Sequence, residues 1–335
     1  MRNDTRVKYN AYLQQIAQLS GVPSAAEKFT VSPTTQQRLE TRMQESSAFL
    51  QAINMVGVTE QSGSKVGIGV SGPIAGRTNT TVNDRAPRDV GALDEFGYAC
   101  KQTNFDTYVT YAQIDAWAKF PDFQTRLAAA ILRQQALDRM MIGFNGTSAA
   151  VETDRAANPL LQDVNIGWLQ KIRTEAPARV MSEGAVAGKV TYGSGGDYDN
   201  LDALVYDAVM MLDPWFRESP DLRVIVSRDL LHDKYFPLLN STTDNPVNQL
   251  AADMVISQKR VGGQQALGVP YFPPGTILLT APKNLSLYWQ EGARRRAVQD
   301  NPKRDRIENY ESSNDAYVVE EYGMVAMVEN IQKAA

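Results

Sequence analysis

The chain has 335 residues, 43% of them hydrophobic and 21% charged, a composition that can bury one or two cores and excludes wholesale disorder. Its 34 basic and 38 acidic residues leave a formal net charge of −4, which removes any whole-chain argument for a nucleic-acid or anionic-membrane binder. A single cysteine, Cys100, excludes an internal disulfide framework, and no stretch reaches the roughly 18 apolar residues of a membrane span.

From the N-terminus, Tyr9, Tyr12, Leu13, Ile16 and Leu19 recur at helical spacing until Gly21 and Pro23 stop the pattern. Gln14, Gln15 and Gln18 interrupt this run, so it is no secretory signal, and synthesis in the cytosol is expected. The segment is chemically distinct: Arg2, Arg6, Lys8 and Lys28 against Asp4 and Glu27 give residues 1–31 a net +2 and leave −6 for the rest. Ser32 followed by Pro33 then predicts a new helix, with a capping hydroxyl, proline at the first helical position, and Leu39, Met43 and Leu50 on one face.

Between Val56 and Gly91 the glycines, prolines and many Thr and Asn residues make regular helix implausible. Two alternating runs flank this stretch, Val66, Ile68, Val70 and Phe96, Tyr98, Cys100, each with the period of a half-buried strand. The separation far exceeds a tight turn, so the pattern predicts a long projecting hairpin. Phe105, Thr107, Val109 and Tyr111 alternate as a further strand. The longest helical pattern comes next, Pro121 to Ile142, with Phe123, Leu127, Ala130, Ile131, Leu137 and Met141 as its apolar stripe; about 22 residues would span roughly 33 Å.

A helix is expected over Leu160 to Thr174, then a polar linker at 183–196, then a helix capped by Asp199 or Asn200 with Leu201, Leu204, Val205, Ala208 and Leu212 inward. "LRVIVS", "TILLT" and "NLSLYW" read as strands and "RDLLHDKYFPLL" as a helix, with more strand at Tyr317 to Val319 and Met324 to Val328. The whole reads as an α+β protein with two lobes.

The search for reactive chemistry yields little. "KVGIGVSG" contains a G-x-G-x-x-G at Gly67, Gly69 and Gly72, but no helix pattern succeeds it to receive a pyrophosphate, so the glycines read better as keeping a projecting strand thin. A nucleotide-dependent oxidoreductase would rest on these glycines alone. His232 is the only histidine and lies at helical spacing among apolar residues, which favours a structural or surface role over catalysis. Cys100 continues the Phe96, Tyr98 face and reads as a buried strand cysteine. Asp197, Asp199, Asp202 and Asp207 lack the spacing of a calcium loop and read as caps and first-turn acids. Arg294, Arg295 and Arg296 form the sharpest basic cluster, open to a subunit contact or to phosphate. No catalytic residue, cofactor or metal site is assigned.

The distinctive features are architectural: a detachable basic segment, an arm, a projecting loop, a long helix and a second lobe. These parts, in this order, together with "MQESSAFL", "KVGIGVSG", "FPDFQTRLAAAILRQQALDRMMIGFNG", "LQDVNIGWLQKIRTEAPARVM", "DLRVIVSRDLL", "VISQKR", "VPYFP" and "NPKRDRIENYES", resemble the major capsid proteins of Peduovirus-like temperate tailed phages, which have the Hong Kong 97-type fold. The resemblance implies a shell-forming structural protein and no enzyme, located in the virion capsid and assembled in the bacterial host cytoplasm. It implies an N-terminal scaffold-interacting segment at 1–31, an N-arm at 32–60 and an extended loop at 61–101. It also implies a peripheral domain at 102–197 with a spine helix at 121–142, an axial domain at 198–300, and C-terminal strands at 301–335 that complete the peripheral domain.

The same resemblance implies proteolytic maturation within Thr30, Val31, Ser32 and Pro33. It implies an intersubunit role for the loop carrying Lys65, Gly67, Gly69, Gly72, Arg77, Arg85 and Arg88. The implied partners are copies of the chain in pentamers and hexamers, an internal scaffold that is also the maturation protease, a portal protein at one vertex, and packaged double-stranded DNA held without sequence-specific contacts; no membrane is implied. Another phage structural protein, of tail or decoration type, is the further alternative.

Overall fold

A computed structural model describes residues 1–65, 69–70, 75–86, 91–92, 96–117, 123–240 and 259–334. Its spine is the 14-residue strand Arg306–Val319, which is paired along both edges. The strands Arg295–Asn301 and Leu285–Gln290 run antiparallel to successive halves of one edge, and Thr107–Thr110 and Lys101–Asn104 to successive halves of the other. Asn54–Val58 adds in parallel to Leu285–Gln290, and Phe29–Thr30 closes the far edge on Arg295–Asn301. The result is a seven-stranded sheet organised by one long strand.

Alternation decides what covers each face of this sheet. Leu285, Leu287, Tyr317 and Val319 meet the helices Pro33–Glu45, Ala48–Ala52, Phe123–Asn145 and Trp168–Glu175 in the largest core. Tyr288, Ala316 and Val318, on the opposite face, meet Val58, Tyr98 and Cys100. Cys100 is buried as expected, at 1% exposure, but it lies between the strands Tyr98–Ala99 and Lys101–Asn104 and not within one.

A second sheet of six strands runs Arg260–Val261, Gln264–Leu267, Arg223–Val226, Ile277–Thr280, Ala326–Val328, Val180–Met181. Its central strands are covered on both faces, which is why they read as unbroken apolar runs and not as alternating ones. Ile225, Leu278 and Met327 point into the first core, whereas Val224, Val226, Ile277, Leu279, Ala326 and Val328 pack on Leu201, Leu204, Val205 and Ala208 of the helix Leu201–Ala208. Asn200 caps that helix, its side chain accepting from the Ala203 amide at 2.9 Å.

Several expectations need correction. Sheet membership does not follow a division at residue 300: Leu285–Gln290 and Arg295–Asn301 belong to the seven-stranded sheet, and Ala326–Val328 belongs to the six-stranded one. Local alternation marks a strand but carries no information about a distant partner. Tyr111 begins the helix Tyr111–Trp117 and does not extend the preceding strand. The helix expected from Leu160 spans Trp168–Glu175, because 147–163 folds back on itself through Thr147 N–H to Gln162 O (2.7 Å) and Ala150 N–H to Asp163 O (2.8 Å).

The spine helix, Phe123–Asn145, also turns a different face inward from the one its apolar stripe suggested. Its buried positions among the described side chains are Gln135, Ala136, Arg139, Met140, Met141, Ile142, Gly143 and Phe144; of the expected stripe Met141 is buried and Leu137 packs partly on the core, whereas Ala130 is exposed. Two polar side chains sit in the inward register, so hydrophobicity alone misplaces the face. Gly143 has a specific steric role there, since a β-carbon would fall 2.2 Å from the Trp168 ring. Trp168 is fully buried against Phe49, Phe144 and Tyr317, and its indole N–H donates to Ser286 O at 2.9 Å.

Candidate assembly and processing site

Two features meet where the chain leaves residue 31, the docked N-terminal segment and a buried ionic cluster behind it; the long loop leaves the sheet elsewhere. The N-terminal helix is Asn3–Ser20, ended by Gly21 in the left-handed region at φ 65°. Tyr9, Ile16 and Ala17 of this helix, with Ala25, Phe29 and Val31 beyond it, bury against Val298 of the strand Arg295–Asn301, and Ile307 packs alongside. Polar clips reinforce the contact. The Arg2 amide donates to Asp115 at 3.0 Å, Arg6 pairs with Asp300, and Arg296 donates to the Tyr12 hydroxyl at 3.3 Å. Burial, then the Asp300 charge, pushes the Tyr9 phenol up to about 12.

Residues 25–31 then run along the strand Arg295–Asn301. The Val298 amide donates to Ala25 O at 2.9 Å, Phe29 and Thr30 lie opposite Arg296 and Arg295, and the Val31 amide donates to Arg294 O at 2.9 Å. Of the four residues expected at the processing point, Thr30 is exposed in the edge strand Phe29–Thr30 and Val31 is 3% exposed. Ser32 and Pro33 begin the arm helix, Pro33–Glu45, with proline in its first turn as expected. Ser32 makes no side-chain cap, however; its hydroxyl donates to Thr35 Oγ1 at 2.9 Å.

Immediately behind this junction lies a cluster that sequence reasoning missed. Arg139 of the spine helix is 1% exposed and donates to Asp315 at 2.9 and 3.0 Å, to Glu40 of the arm helix, and to Ser313 Oγ. Arg294, also 1% exposed, donates to Glu40 at 2.8 Å, to Glu311 at 2.6 and 2.8 Å, and to Gln135 at 2.9 Å. The basic triplet is therefore no single surface patch: Arg294 is internal, Arg295 sits opposite Thr30, and Arg296 bonds Asn309 at 2.9 Å. Glu311, Ser313 and Asp315 reach the cluster together because alternate strand residues share a face.

The cluster sets three carboxylates against two guanidinium groups. Burial opposes the charge on Arg139, but Asp315 and Glu40 outweigh it and hold the guanidinium above its ordinary value. Burial likewise opposes ionisation of Glu311, yet Arg294 and Arg296 pull it below the usual carboxylate value. At Asp315 burial wins over the attraction of Arg139, and its carboxyl is raised. The arm helix is further held by Gln36, whose amide donates to Gln290 O and accepts from Gly292 N–H, each at 2.9 Å. Breaking such a buried pair by removing one partner costs roughly 3–5 kcal/mol, so the cluster ties arm, spine helix and sheet into one unit.

The long loop leaves the opposite face of the sheet. Ser62–Gly63 pairs antiparallel with Tyr98–Ala99, and Gly69–Val70 with Gly91–Ala92, in the same register, so the expected hairpin is paired at its base and again further out. Residues 75–86, which include Arg77 and Arg85, are exposed throughout. Gly69 is a paired hairpin residue; Gly67, Gly72 and Arg88 lie outside the described residues. Lys65 sits over the Tyr322 ring at 4.3 Å. The described part of the loop contains no helix on which a dinucleotide pyrophosphate would sit.

Of the remaining candidates, His232 is 60% exposed and stacks on Phe236 at 4.7 Å, a surface residue. Asp197 organises a turn by accepting from the Ala185 amide at 2.7 Å and the Thr191 amide at 2.8 Å; the Thr191 hydroxyl, then these amides, lower its carboxyl. Among the described residues no group of three His, Cys, Asp or Glu side chains could hold a metal ion, and no helix is long and apolar enough to cross a membrane.

This geometry ties the arm helix, the spine helix and the sheet together and projects an exposed loop. Comparison with known proteins gives the family. The chain is 50% identical over 342 residues to the capsid proteins of Escherichia phage P2, covering 99% of this chain and 96% of that one. It is 45% identical over 339 residues to the major capsid protein of Serratia phage KSP20, covering 99% and 97%. A chain of the satellite phage P4 procapsid that includes the size determination (Sid) protein superposes with a TM-score of 0.84 at 47% identity, covering 100% of this chain and 99% of that one. The fold is therefore the α+β fold of Hong Kong 97-type capsid proteins. The model of the phage major capsid protein family, P2 type, matches residues 8–331, and this chain belongs to that family: it is a shell-forming structural protein of the virion capsid.

Proposed function

We propose that this capsid subunit builds its shell as pentamers and hexamers around an internal scaffold that is also the maturation protease, and that it is cut within Thr30–Pro33. The portal would occupy one vertex, and double-stranded DNA would fill the interior without sequence-specific contacts. In this reading residues 1–31 engage the scaffold, 32–60 form the N-arm, and the 61–101 hairpin lies over a neighbouring subunit. The seven-stranded sheet with the spine helix is the body of the peripheral domain, and the six-stranded sheet is the centre of the axial domain.

One observation carries the reading. The arm is anchored by Glu40, which pairs with Arg139 and Arg294 of the buried cluster, and separately by Gln36, which bonds Gln290 and Gly292; both residues follow the proposed cut, so residues 1–31 can leave without loosening the arm helix. Many modest contacts made at once by a tethered arm and loop act at high effective concentration, so a lattice holds where an isolated pair would separate. A mature chain of −6 repels packaged DNA weakly. Co-expression with the scaffold protease, then mass measurement of the particle subunit, tests this: subunits should begin within residues 31–33. Full-length subunits in infectious particles would refute it.

A further inference from the structure

We infer that residues 1–31 are a cis-acting cover over the processing segment, so that release of this cover from the chain's own sheet sets when the chain can be cut. The inference rests on the assignment of the cut to Thr30–Pro33 and adds a gate to it.

A protease takes its substrate as an extended peptide whose backbone groups are free to pair in the cleft. Those groups are engaged here. Ala25 O, the Phe29–Thr30 strand and the Val31 amide are all bonded to the strand Arg295–Asn301 or to Arg294. Phe29 and Val31 are 8% and 3% exposed, so the side chains flanking Thr30 are also sequestered. The segment cannot be lifted alone, because the helix Asn3–Ser20 lies across the same sheet edge through Tyr9, Ile16 and Ala17.

Among the described side chains, the exposed residues of that helix are polar apart from Ala11 and Val7, the latter 69% exposed. A partner that reads the apolar face must therefore break the contacts that shield the cut. Docking and that mode of recognition exclude each other, so a partner which holds only the released segment shifts the population towards the cleavable form. The arm helix keeps its own anchors at Gln36 and Glu40, so opening stays confined to residues before 32.

Trypsin is a suitable probe, because Lys28 is exposed and immediately precedes Phe29. When opening is fast relative to cleavage, the cutting rate tracks the population of the open form, so disrupting the cover should raise the rate about ten-fold or more. The full chain and Tyr9→Ser/Ile16→Ser are digested side by side, and the fragment beginning at Phe29 is monitored by mass. The double variant should release it about ten-fold faster while its main unfolding transition stays unchanged. Arg6→Glu, a surface change that sets a carboxylate against Asp300, should raise the rate by a smaller factor. Equal rates in all three proteins would overturn the shielding. Co-expressed with the scaffold protease, the double variant should be processed earlier than the parent. Mature particles that retain residues 1–31 would instead overturn the assignment of the cut, whatever trypsin shows.

Discussion

Replacing Arg139 by methionine is the sharpest test of the ionic cluster, since methionine keeps much of the volume and removes the charge. Glu40 would retain Arg294 at 2.8 Å, so the group left without a counter-ion is Asp315, supported only by the Ser313 hydroxyl at 3.0 Å. Leaving one buried charge uncompensated costs roughly 3–5 kcal/mol, a large share of the 5–15 kcal/mol by which domains are stable. The loss should depend on pH. Asp315 is already raised by burial, and without Arg139 its carboxyl rises further, so the folded chain binds a proton that the unfolded chain releases. Stability of the variant therefore increases as pH falls through the folded value and decreases as pH rises through it. Urea unfolding of the unassembled chain at about pH 8 and about pH 5 should show the deficit shrinking at the lower pH. A deficit below about 1 kcal/mol, or one equal at both pH values, would refute the reasoning.

Gly143→Ala should destabilise by about 1–3 kcal/mol or more in thermal unfolding, because its β-carbon meets the Trp168 ring at 2.2 Å; an unchanged Tm would show that the helices separate freely. Cys100, buried and with its thiol pushed up to about 12 by that burial, should resist iodoacetamide in the native chain at neutral pH and react once the chain is unfolded; rapid native labelling would contradict its placement. Deleting residues 73–90 should leave a folded subunit that forms no shells, and normal shells from that deletion would show that the loop has no part in assembly.

Much of the fold was legible where local pattern and burial agree. Gly21 and Pro33 mark helix boundaries through backbone geometry, Asn200 caps its helix, and Val224–Val226 and Ile277–Thr280 read as strands because both their faces are covered. The strand Arg295–Asn301 was not legible: three consecutive arginines read as a basic cluster open to a subunit contact or to phosphate, and only pairing with Arg306–Val319 makes Arg294 internal. Arg139 was missed for the same reason. It stands four residues after Gln135 in the inward register of the spine helix, and its burial depends on Asp315, 176 residues away. The spacing of Glu311, Ser313 and Asp315 was the available signal, since three polar side chains on one face of a strand need partners. The hairpin was legible from its glycines and flanking alternation, whereas its neighbour in the shell is encoded in no single subunit.

The subunit's activity lies in its edges, and one density map tests that claim. Electron cryomicroscopy of particles formed by the full chain with the proposed scaffold protease should show closed icosahedral shells, with residues 75–86 resting on an adjacent subunit, density beginning at residues 31–33, and Glu40 still joined to Arg139. Tubes or open sheets, or shells in which that loop touches only its own subunit, would contradict it.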